Sequence, residues 1–154
     1  MGKNLRLKKG TQPNAPLITC KFKENEQFVF VDFGHITNQK GYGYKALIDK
    51  QKDDRQILKS LLTMIVEMSN TSWAELAHRE KDATGGYETI CLSQFKTKIW
   101  DQFDPNLTSD VKLFVFRFGK GNAYRMIGYK SDGCRHAIHI LGFDLNYSLY
   151  DHGN

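Results

Sequence analysis

The pattern of hydrophobic positions in the first half of the chain changes from strand-like to helical. In QFVFVDFGHI (Gln27 to Ile36), both alternating sets of positions are mostly apolar, which predicts a strand buried on both faces. After the turn-rich stretch TNQKGYGY, apolar residues recur at helical spacing between Ile57 and Met68. This spacing predicts a helix that begins between Lys45 and Asp54 and ends by Ser69.

The middle of the chain predicts two more helices and a short strand. Ser72 followed by Glu75 has the spacing of a capping box, which predicts a helix from Trp73 to about Lys81. After a Gly-Gly pair, YETICL predicts a short strand. SQFKTKIWDQF (Ser93 to Phe103) places aromatic and aliphatic residues on one side of a third helix, which an Asp-Pro-Asn sequence terminates.

The last third of the chain predicts an antiparallel meander. Its three apolar runs are VKLFVFRF, AYRMIGYK and HAIHILGFD, and the turn-forming stretches GKGN and SDGCR separate them. The predicted fold class is therefore α+β, in which an N-terminal strand and helices pack on a C-terminal three- to four-stranded antiparallel sheet. Residues 24–154 are expected to form a single domain, and residues 1–23 a flexible basic arm.

The meander raises the question of what its two arginines contact. If the GKGN turn places Arg117 opposite Arg125, strand alternation puts both on one face together with Tyr129. His139 is expected on the same face. The opposite face is aromatic and apolar: Phe114, Phe116, Phe118, Tyr124 and Met126.

We expect the helices to cover the aromatic face and to leave the arginine face exposed. Two fixed guanidinium groups beside aromatic rings suit a phosphate group and a stacked base. The alternative is that each arginine pairs with an acidic residue of the protein, such as Asp32 or Asp144. The pattern favours the exposed face, with phosphate as the partner.

The charge of the chain favours an anionic partner. The 154 residues carry a net charge of +5, and the isoelectric point is near 9.1. Six basic residues and no acidic ones fall in residues 1–23, and these are Lys3, Arg6, Lys8, Lys9, Lys21 and Lys23. This arm either follows a phosphate backbone or acts as a solubilising tail.

Several other classes of function lack their sequence signatures. The three cysteines (Cys20, Cys91 and Cys134) are far apart, which disfavours a disulfide framework and a zinc site. His136 and His139 are three residues apart, a spacing that sends them to opposite faces of a strand. P-loop, HExxH and nucleophile-elbow motifs are missing. We expect no metal, no cofactor and no membrane partner, and a cytoplasmic location.

The segments AYRMIGYK and IHILGFDLNYSLY resemble the C-terminal meander of the RelE/ParE superfamily of small bacterial toxins. Many of these proteins have a tyrosine-arginine pair early in a meander strand, which corresponds here to Tyr124-Arg125. A final strand follows, here Ala137 to Gly142, and then a tail that carries a basic residue, tyrosine or histidine. The resemblance covers the last quarter of the chain.

The resemblance implies a metal-independent endoribonuclease that acts on mRNA, in some members at the ribosome, and that is paired with an antitoxin protein. It implies that Arg125, assisted by Arg117, stabilises phosphate charge. Tyr150 or His152 takes the role of general acid or base, and Tyr129 or Tyr147 stacks on a base. In such a protein, His139, Lys3, Lys8 and Lys9 are further candidates for contact with the nucleic acid.

Two non-catalytic alternatives follow from the same sequence. The three predicted helices suit a helix-turn-helix in which Lys96 and Lys98 face DNA. The aromatic residues and arginines of the meander also suit the anchor of a protein interface in a toxin-antitoxin or mobile-element system.

Overall fold

The structure, a computed structural model, describes residues 28–131, 133 and 136–151. The basic arm predicted for residues 1–23 lies outside the described residues, as do Lys3, Lys8, Lys9 and His152. The helices and strands, in chain order, are β1 (Phe30–Asp32), α1 (Tyr44–Lys50), α2 (Ile57–Ser69), α3 (Trp73–Ala77), β2 (Tyr87–Cys91), β3 (Lys112–Phe118), β4 (Tyr124–Tyr129) and β5 (Ala137–Asp144).

The five strands form one mixed sheet in the order β1-β5-β4-β3-β2. Strands β2 to β5 pair antiparallel, and β1 pairs parallel with β5. The α+β class is therefore confirmed, but the sheet has five strands and is mixed, rather than three or four antiparallel strands. The difference arises because β1 and β2 extend the meander at its two edges. A long connection between β1 and β5 allows their parallel pairing.

Strand β1 is shorter and more exposed than the sequence predicts. It covers three residues at the edge of the sheet, and Phe30 is 54% exposed. The prediction of a strand buried on both faces is therefore wrong. The apolar run is split between environments, because Val29 packs in the core while Phe30 and Phe33 reach solvent.

The predicted long helix consists of two helices, α1 and α2. A turn lies between them, in which the Asp54 side chain accepts a hydrogen bond from the Gln56 amide. The predicted end of α2 at Ser69 is confirmed, and its buried side lies against the sheet. No helix in the described part of the chain is long and apolar enough to cross a membrane.

The capping box at the start of α3 is confirmed. The Ser72 hydroxyl accepts a hydrogen bond from the Glu75 amide at 3.2 Å, and the Glu75 carboxylate accepts one from the Ser72 amide at 2.9 Å. The helix ends at Ala77, before the predicted Lys81. Its next turn is replaced by an irregular segment in which Arg79 donates to the Thr84 carbonyl.

The predicted helix from Ser93 to Phe103 is wrong. A short 3₁₀ turn spans Leu92–Gln94, and the following residues are irregular up to β3. The Lys96 amide donates to the Leu149 carbonyl at 2.8 Å, and Phe95 forms a bridge with Tyr150. Pairing with the C-terminal tail thus replaces the helical hydrogen bonds of this segment.

The antiparallel meander is confirmed, and its register meets the condition under which both arginines share a face. Arg117 lies opposite Arg125, Tyr129 lies opposite His139, and Arg125 lies opposite Asp144. The turn depends on Gly119, which has φ +82°, and a Cβ atom there would lie 2.5 Å from the Tyr124 ring. This turn fixes which side chains share a face of the sheet.

Both faces of the sheet are covered. The predicted aromatic face packs against the helices in the larger core. The other face carries a second core, which the irregular segment after β2 and the C-terminal tail supply, with Ile99, Trp100, Leu149 and Tyr150 among its buried residues. The expectation of an exposed arginine face is therefore wrong, because the apolar residues predicted to form a third helix lie across that face.

Candidate functional site

Two groups of polar side chains lie on the second face of the sheet, at opposite ends of the β4–β5 pair. We call the first the arginine cluster; its members are Arg117, Arg125, Asp144, Tyr147 and Tyr150. We call the second the histidine cluster; its members are Asp32, His35 and His139. The arginine cluster contains four of the six predicted site residues that lie within the described part of the chain, whereas only His139 of the histidine cluster was among them.

Arg117 is bound by acidic residues of the protein. Its guanidinium group pairs with Asp82 and, at 3.0 Å, with Glu88. Partial burial acts to lower the pKa of Arg117, but Glu88 and Asp82 outweigh it and hold that pKa above its ordinary value. The alternative that Arg117 pairs with acidic residues of the protein is therefore the observed one, although the partners are Asp82 and Glu88 rather than Asp32 or Asp144. These two carboxylates neutralise the positive charge that Arg117 would need to bind a phosphate.

Arg125 is buried, with 6% of its surface exposed. Its guanidinium group donates to the carbonyl oxygens of Asn122 and Tyr124 and lies over the Tyr147 ring, 5.1 Å from the ring centroid. These contacts hold the turn before β4 and the C-terminal tail together. The geometry thus gives Arg125 a structural role.

Asp144 anchors the C-terminal tail. It is 1% exposed, and its carboxylate accepts hydrogen bonds from the amides of Asn146, Ser148 and Leu149 at 3.0–3.2 Å. Three amide donors to a single carboxylate form a compact turn. This turn directs Tyr147 and Tyr150 back over the sheet, towards Arg125.

Tyr150 is buried beside Arg125. Burial raises the pKa of its phenol to about 12, although Arg125 opposes the shift. At neutral pH the phenol is therefore almost entirely protonated, which is unfavourable for a general base. The structure brings Arg117, Arg125, Tyr147 and Tyr150 together as the sequence predicted, but in an environment that favours packing.

The histidine cluster joins two distant parts of the chain at the sheet edge. Because β1 pairs with β5, Asp32 lies opposite His139, and the Asp32 Oδ2 atom is 2.6 Å from His139 Nδ1. The same oxygen is 3.6 Å from His35 Nε2. One carboxylate oxygen thus lies within reach of two imidazole rings.

Aromatic rings hold His139 in place. His139 is 7% exposed and contacts Phe103 and His35, with ring centroids 4.9 and 5.3 Å apart. Phe103 also packs on Tyr129, which lies opposite His139 in the sheet. Tyr129 therefore forms part of the wall behind His139.

Local backbone contacts orient the other two members of the cluster. The Gly34 amide donates to Asp32 Oδ1 at 2.9 Å, which leaves Oδ2 for the histidines. His35 Nδ1 lies 3.3 Å from the Gln102 carbonyl oxygen. Partial burial acts to raise the pKa of Asp32, but the bonds from Gly34 and His139 and the nearby His35 outweigh it and lower that pKa.

The histidine cluster opens to solvent on one side. The side chains of Asp32 and His35 are 37% and 38% exposed. Two aromatic residues flank them on the surface, since Phe30 is 54% exposed and Phe33 is 40% exposed. An exposed edge therefore combines two large apolar rings with a carboxylate and an imidazole.

Sequence reasoning missed Asp32 and His35. Their signal was the D-x-x-H spacing in DFGH, where a strand ends and a glycine allows the chain to turn. The observed cluster also differs from the histidine pair considered in the sequence, because His35 rather than His136 accompanies His139. Together the three side chains form a group that could hold a metal ion, the one such group of three among the described residues.

A further cavity lies apart from both clusters. Its volume is about 820 Å³, and it is lined by the loop that begins at Thr37, by α1 and by the start of the C-terminal tail. Three lysines and two aspartates contribute to its wall: Lys40, Lys45, Lys50, Asp49 and Asp53. These mixed charges give no clear preference for an anionic ligand, so the histidine cluster is the stronger candidate.

Comparisons with protein-family models, with curated proteins and with solved structures found no match to this chain. The resemblance to RelE/ParE toxins stays a prediction. Support for a function therefore comes from the side chains of the protein and their surroundings.

Proposed function

We propose that this protein binds single-stranded RNA at the exposed edge beside β1 and cleaves it there, with the histidine cluster as the reactive centre. The observation that supports this proposal is the combination of Asp32, His35 and His139 with two exposed aromatic rings. Phe30 and Phe33 offer apolar faces on which unpaired bases stack, which is a common mode of binding to single strands. The proposal keeps the endoribonuclease activity that the resemblance implies and moves its centre away from the arginines.

The distribution of charge along the chain supports an anionic substrate at this edge. Residues 1–27 contain six basic and two acidic residues, a net charge of +4, which leaves +1 for the rest of the chain. This basic segment leads directly into Phe28, which precedes β1. The excess positive charge is therefore attached to the strand that carries Phe30 and Asp32, where it favours association with a phosphate backbone.

The reaction requires groups that move protons and offset negative charge. The 2′-oxygen of RNA forms a bond to the adjacent phosphorus while the bond to the 5′-oxygen breaks, and negative charge develops on the phosphorus oxygens. In the described residues, two imidazoles and a carboxylate meet beside the exposed rings. The arginines first expected to serve this purpose are occupied by Asp82, Glu88 and backbone carbonyls.

A cleavage assay with purified protein and single-stranded RNA tests the proposal. We expect His35→Ala to lower the cleavage rate about 100-fold or more, because reactive side chains contribute such factors. His78→Ala is the matched control, since His78 is an exposed histidine at the end of α3. Equal loss in both variants, or no loss in His35→Ala, would contradict the assignment of the centre.

Fluorescence anisotropy with labelled RNA tests the binding surface separately. Loss of one stacked base costs about 1–3 kcal/mol, so Phe33→Ala should weaken binding roughly tenfold. Tyr44→Ala is the control, because Tyr44 is 55% exposed on α1. RNA binding without cleavage would favour the non-catalytic binding module. Folded protein that neither binds nor cleaves RNA would refute the proposal and favour a protein-interaction domain.

The helix-turn-helix alternative loses its structural basis. The residues that were to form its last helix are irregular. Lys96 pairs with Asp151, and Lys98 donates to the Pro105 carbonyl. Neither lysine therefore projects from a recognition helix.

A further inference from the structure

We propose that Asp32, His35 and His139 bind a divalent transition-metal ion of the zinc, manganese or iron class. Two imidazoles with one carboxylate form a donor set that occurs for these ions, and it leaves coordination positions open for a further ligand. No metal site is expected from the sequence, because His136 and His139 fall on opposite faces of one strand. The sheet edge supplies a different set of donors.

The distances between donor atoms are close to those that such an ion requires. Ligands at about 2.0–2.2 Å from a tetrahedral ion lie roughly 3.3–3.6 Å from one another. Asp32 Oδ2 is 3.6 Å from His35 Nε2 and 2.6 Å from His139 Nδ1. About 1 Å of side-chain opening brings the Asp32–His139 pair into that range, and Asp32 is exposed enough to move. The donor atoms of all three residues already lie within 4.8 Å of one another.

The surroundings of the cluster resemble the supporting shell of a metal centre. Ligating histidines usually donate their second ring nitrogen to a carbonyl or carboxylate, which fixes the ring and leaves the other nitrogen free to ligate. His35 Nδ1 lies 3.3 Å from the Gln102 carbonyl, so its Nε2 faces Asp32. The Gly34 amide holds the other oxygen of Asp32.

The burial of His139 fixes which of its ring nitrogens can bind an ion. Its side chain is 9% exposed, and its Nε2 atom has no hydrogen-bond partner among the described residues. The Nδ1 atom is the ring nitrogen that faces the Asp32 carboxylate, at 2.6 Å, so Nδ1 is the donor atom of the proposed site. Because Phe103 packs against the ring, Nδ1 keeps facing the cluster when an ion replaces its hydrogen bond to Asp32.

The ion would contact solvent and substrate from one side only. His139 and Phe103 close the inner side, while Asp32 and His35 border solvent. The role of the ion in catalysis rests on the proposed RNA cleavage. There, the ion binds a phosphate oxygen and offsets the charge that develops as the 2′-oxygen attacks and the 5′-oxygen leaves. Because Asp32, His35 and His139 then serve as ligands of the ion and not as proton carriers, the proton of the 2′-hydroxyl passes to solvent, and the 5′-oxygen takes one from water.

Direct binding measurements test the site without reference to activity. Untagged full-length protein is stripped with a chelator and titrated with Co²⁺, followed by its visible absorption, and with Zn²⁺, followed by calorimetry. We expect one ion per chain and a loss of affinity of roughly 100-fold or more in His35→Ala and Asp32→Asn. His78→Ala should bind like the wild type. Unchanged binding in His35→Ala and Asp32→Asn, or no binding by folded wild-type protein, would overturn the proposal.

Thermal unfolding gives a second readout that also detects misfolded variants. Zn²⁺ should raise the melting temperature of the wild type and of His78→Ala, because an ion that binds only the folded state stabilises it. It should leave Asp32→Asn unchanged. An equal rise in Asp32→Asn would place the ion elsewhere and refute the site.

The cleavage assay separates the two proposals. Metal binding at the cluster without any RNA cleavage would uphold the site and refute the proposed function. Full cleavage by the stripped protein, beside metal binding in the titration, would uphold both binding and cleavage but refute the catalytic role of the ion. Cleavage that is lost on stripping and restored by Zn²⁺ or Mn²⁺ would support that role.

Discussion

The arginine cluster and the histidine cluster lie on the same face of one sheet, yet they differ in how far their charged side chains reach solvent. In the arginine cluster, Arg117 pairs with two carboxylates, and Arg125 donates to two carbonyls. In the histidine cluster, a single carboxylate oxygen lies near two imidazoles, and the side chains of Asp32 and His35 are 37% and 38% exposed. The first arrangement stabilises the fold, and the second leaves a carboxylate and an imidazole accessible to a ligand.

The comparison teaches that a charged residue in a sheet indicates function only when its surroundings leave it available. Arg125 has the residue type and the neighbours that phosphate chemistry requires, but it is buried and contacts Tyr147 of the C-terminal tail. Its role is therefore structural. Asp32 and His35 attract less notice in the sequence, yet they lie exposed beside aromatic rings. Four substitutions test this contrast.

The largest effect is expected for Asp144→Ala. This change removes the acceptor for three amides in a buried turn, and the free energy of unfolding should fall by about 4 kcal/mol. Chemical denaturation followed by tryptophan fluorescence measures it. Asp144→Asn, which keeps one carbonyl oxygen, should cost less. Equal values for both variants would show that the carboxylate does not hold the turn.

Arg125→Ala should lower the free energy of unfolding by about 3 kcal/mol. It leaves the carbonyls of Asn122 and Tyr124 without their charged donor and removes a ring contact with Tyr147. The same denaturation experiment measures the loss, together with RNA cleavage below the unfolding transition. If Arg125→Ala retains full stability but loses cleavage, catalysis returns to the arginine cluster.

Thr37→Val tests the hydrogen bonds that hold the segment facing His35. The Thr37 hydroxyl donates to Asp101 at 2.6 Å, next to Gln102, whose carbonyl faces His35. Partial burial acts to raise the pKa of Asp101, but the bonds from Thr37 and Gln102 outweigh it, so the pKa lies below 3.8. We expect a loss of about 1 kcal/mol at neutral pH.

The sign of the pH dependence follows from that lowered pKa. The hydrogen bonds to the Asp101 carboxylate stabilise the fold fully above the pKa that Asp101 has in the unfolded chain. This stabilisation is lost as the pH falls through the lower pKa of the folded protein. The difference in the free energy of unfolding between wild type and Thr37→Val should therefore be at its maximum at pH 6 and decrease below about pH 4. Denaturation curves at several pH values measure it. A difference that grows on acidification would contradict the assignment.

The smallest effect is expected for Tyr147→Ala. Tyr147 is 48% exposed, and its ring lies over the Arg125 guanidinium, so its removal should cost about 0.5–1 kcal/mol. Tyr147→Phe keeps the ring and should retain most of that stability. RNA binding should change in neither variant, since the proposed binding edge lies at the other end of the sheet. Weaker RNA binding by Tyr147→Ala alone would extend the binding surface to the arginine cluster.

The confirmed predictions are those that depend on local patterns. The capping box at Ser72, the end of α2 at Ser69 and the glycine turn before β4 all arise from residues within a few positions of one another. Strand alternation also placed Tyr129 and His139 on the arginine face. These features follow from backbone geometry and turn chemistry, which the sequence carries directly.

The errors arise where a segment exchanges local hydrogen bonds for distant ones. The stretch from Ser93 to Phe103 has a helical pattern, but its backbone pairs with the tail through Lys96 and Phe95. Its apolar residues then bury the face that was expected to bind a phosphate. Periodicity alone does not distinguish a helix from a covering loop, since both place apolar residues on one side.

The α+β class and the antiparallel meander follow from the sequence alone, whereas the register that sets Arg117 opposite Arg125 is known from the structure. Only the tertiary structure decided that β1 joins β5 in parallel and that Asp32 meets His139, 107 residues away in the chain. The physical reason is that turns and alternation depend on neighbouring residues, whereas the surroundings of a charge depend on every segment packed against it. Burial by the tail made the arginine cluster structural, and the edge position of β1 left the histidine cluster open.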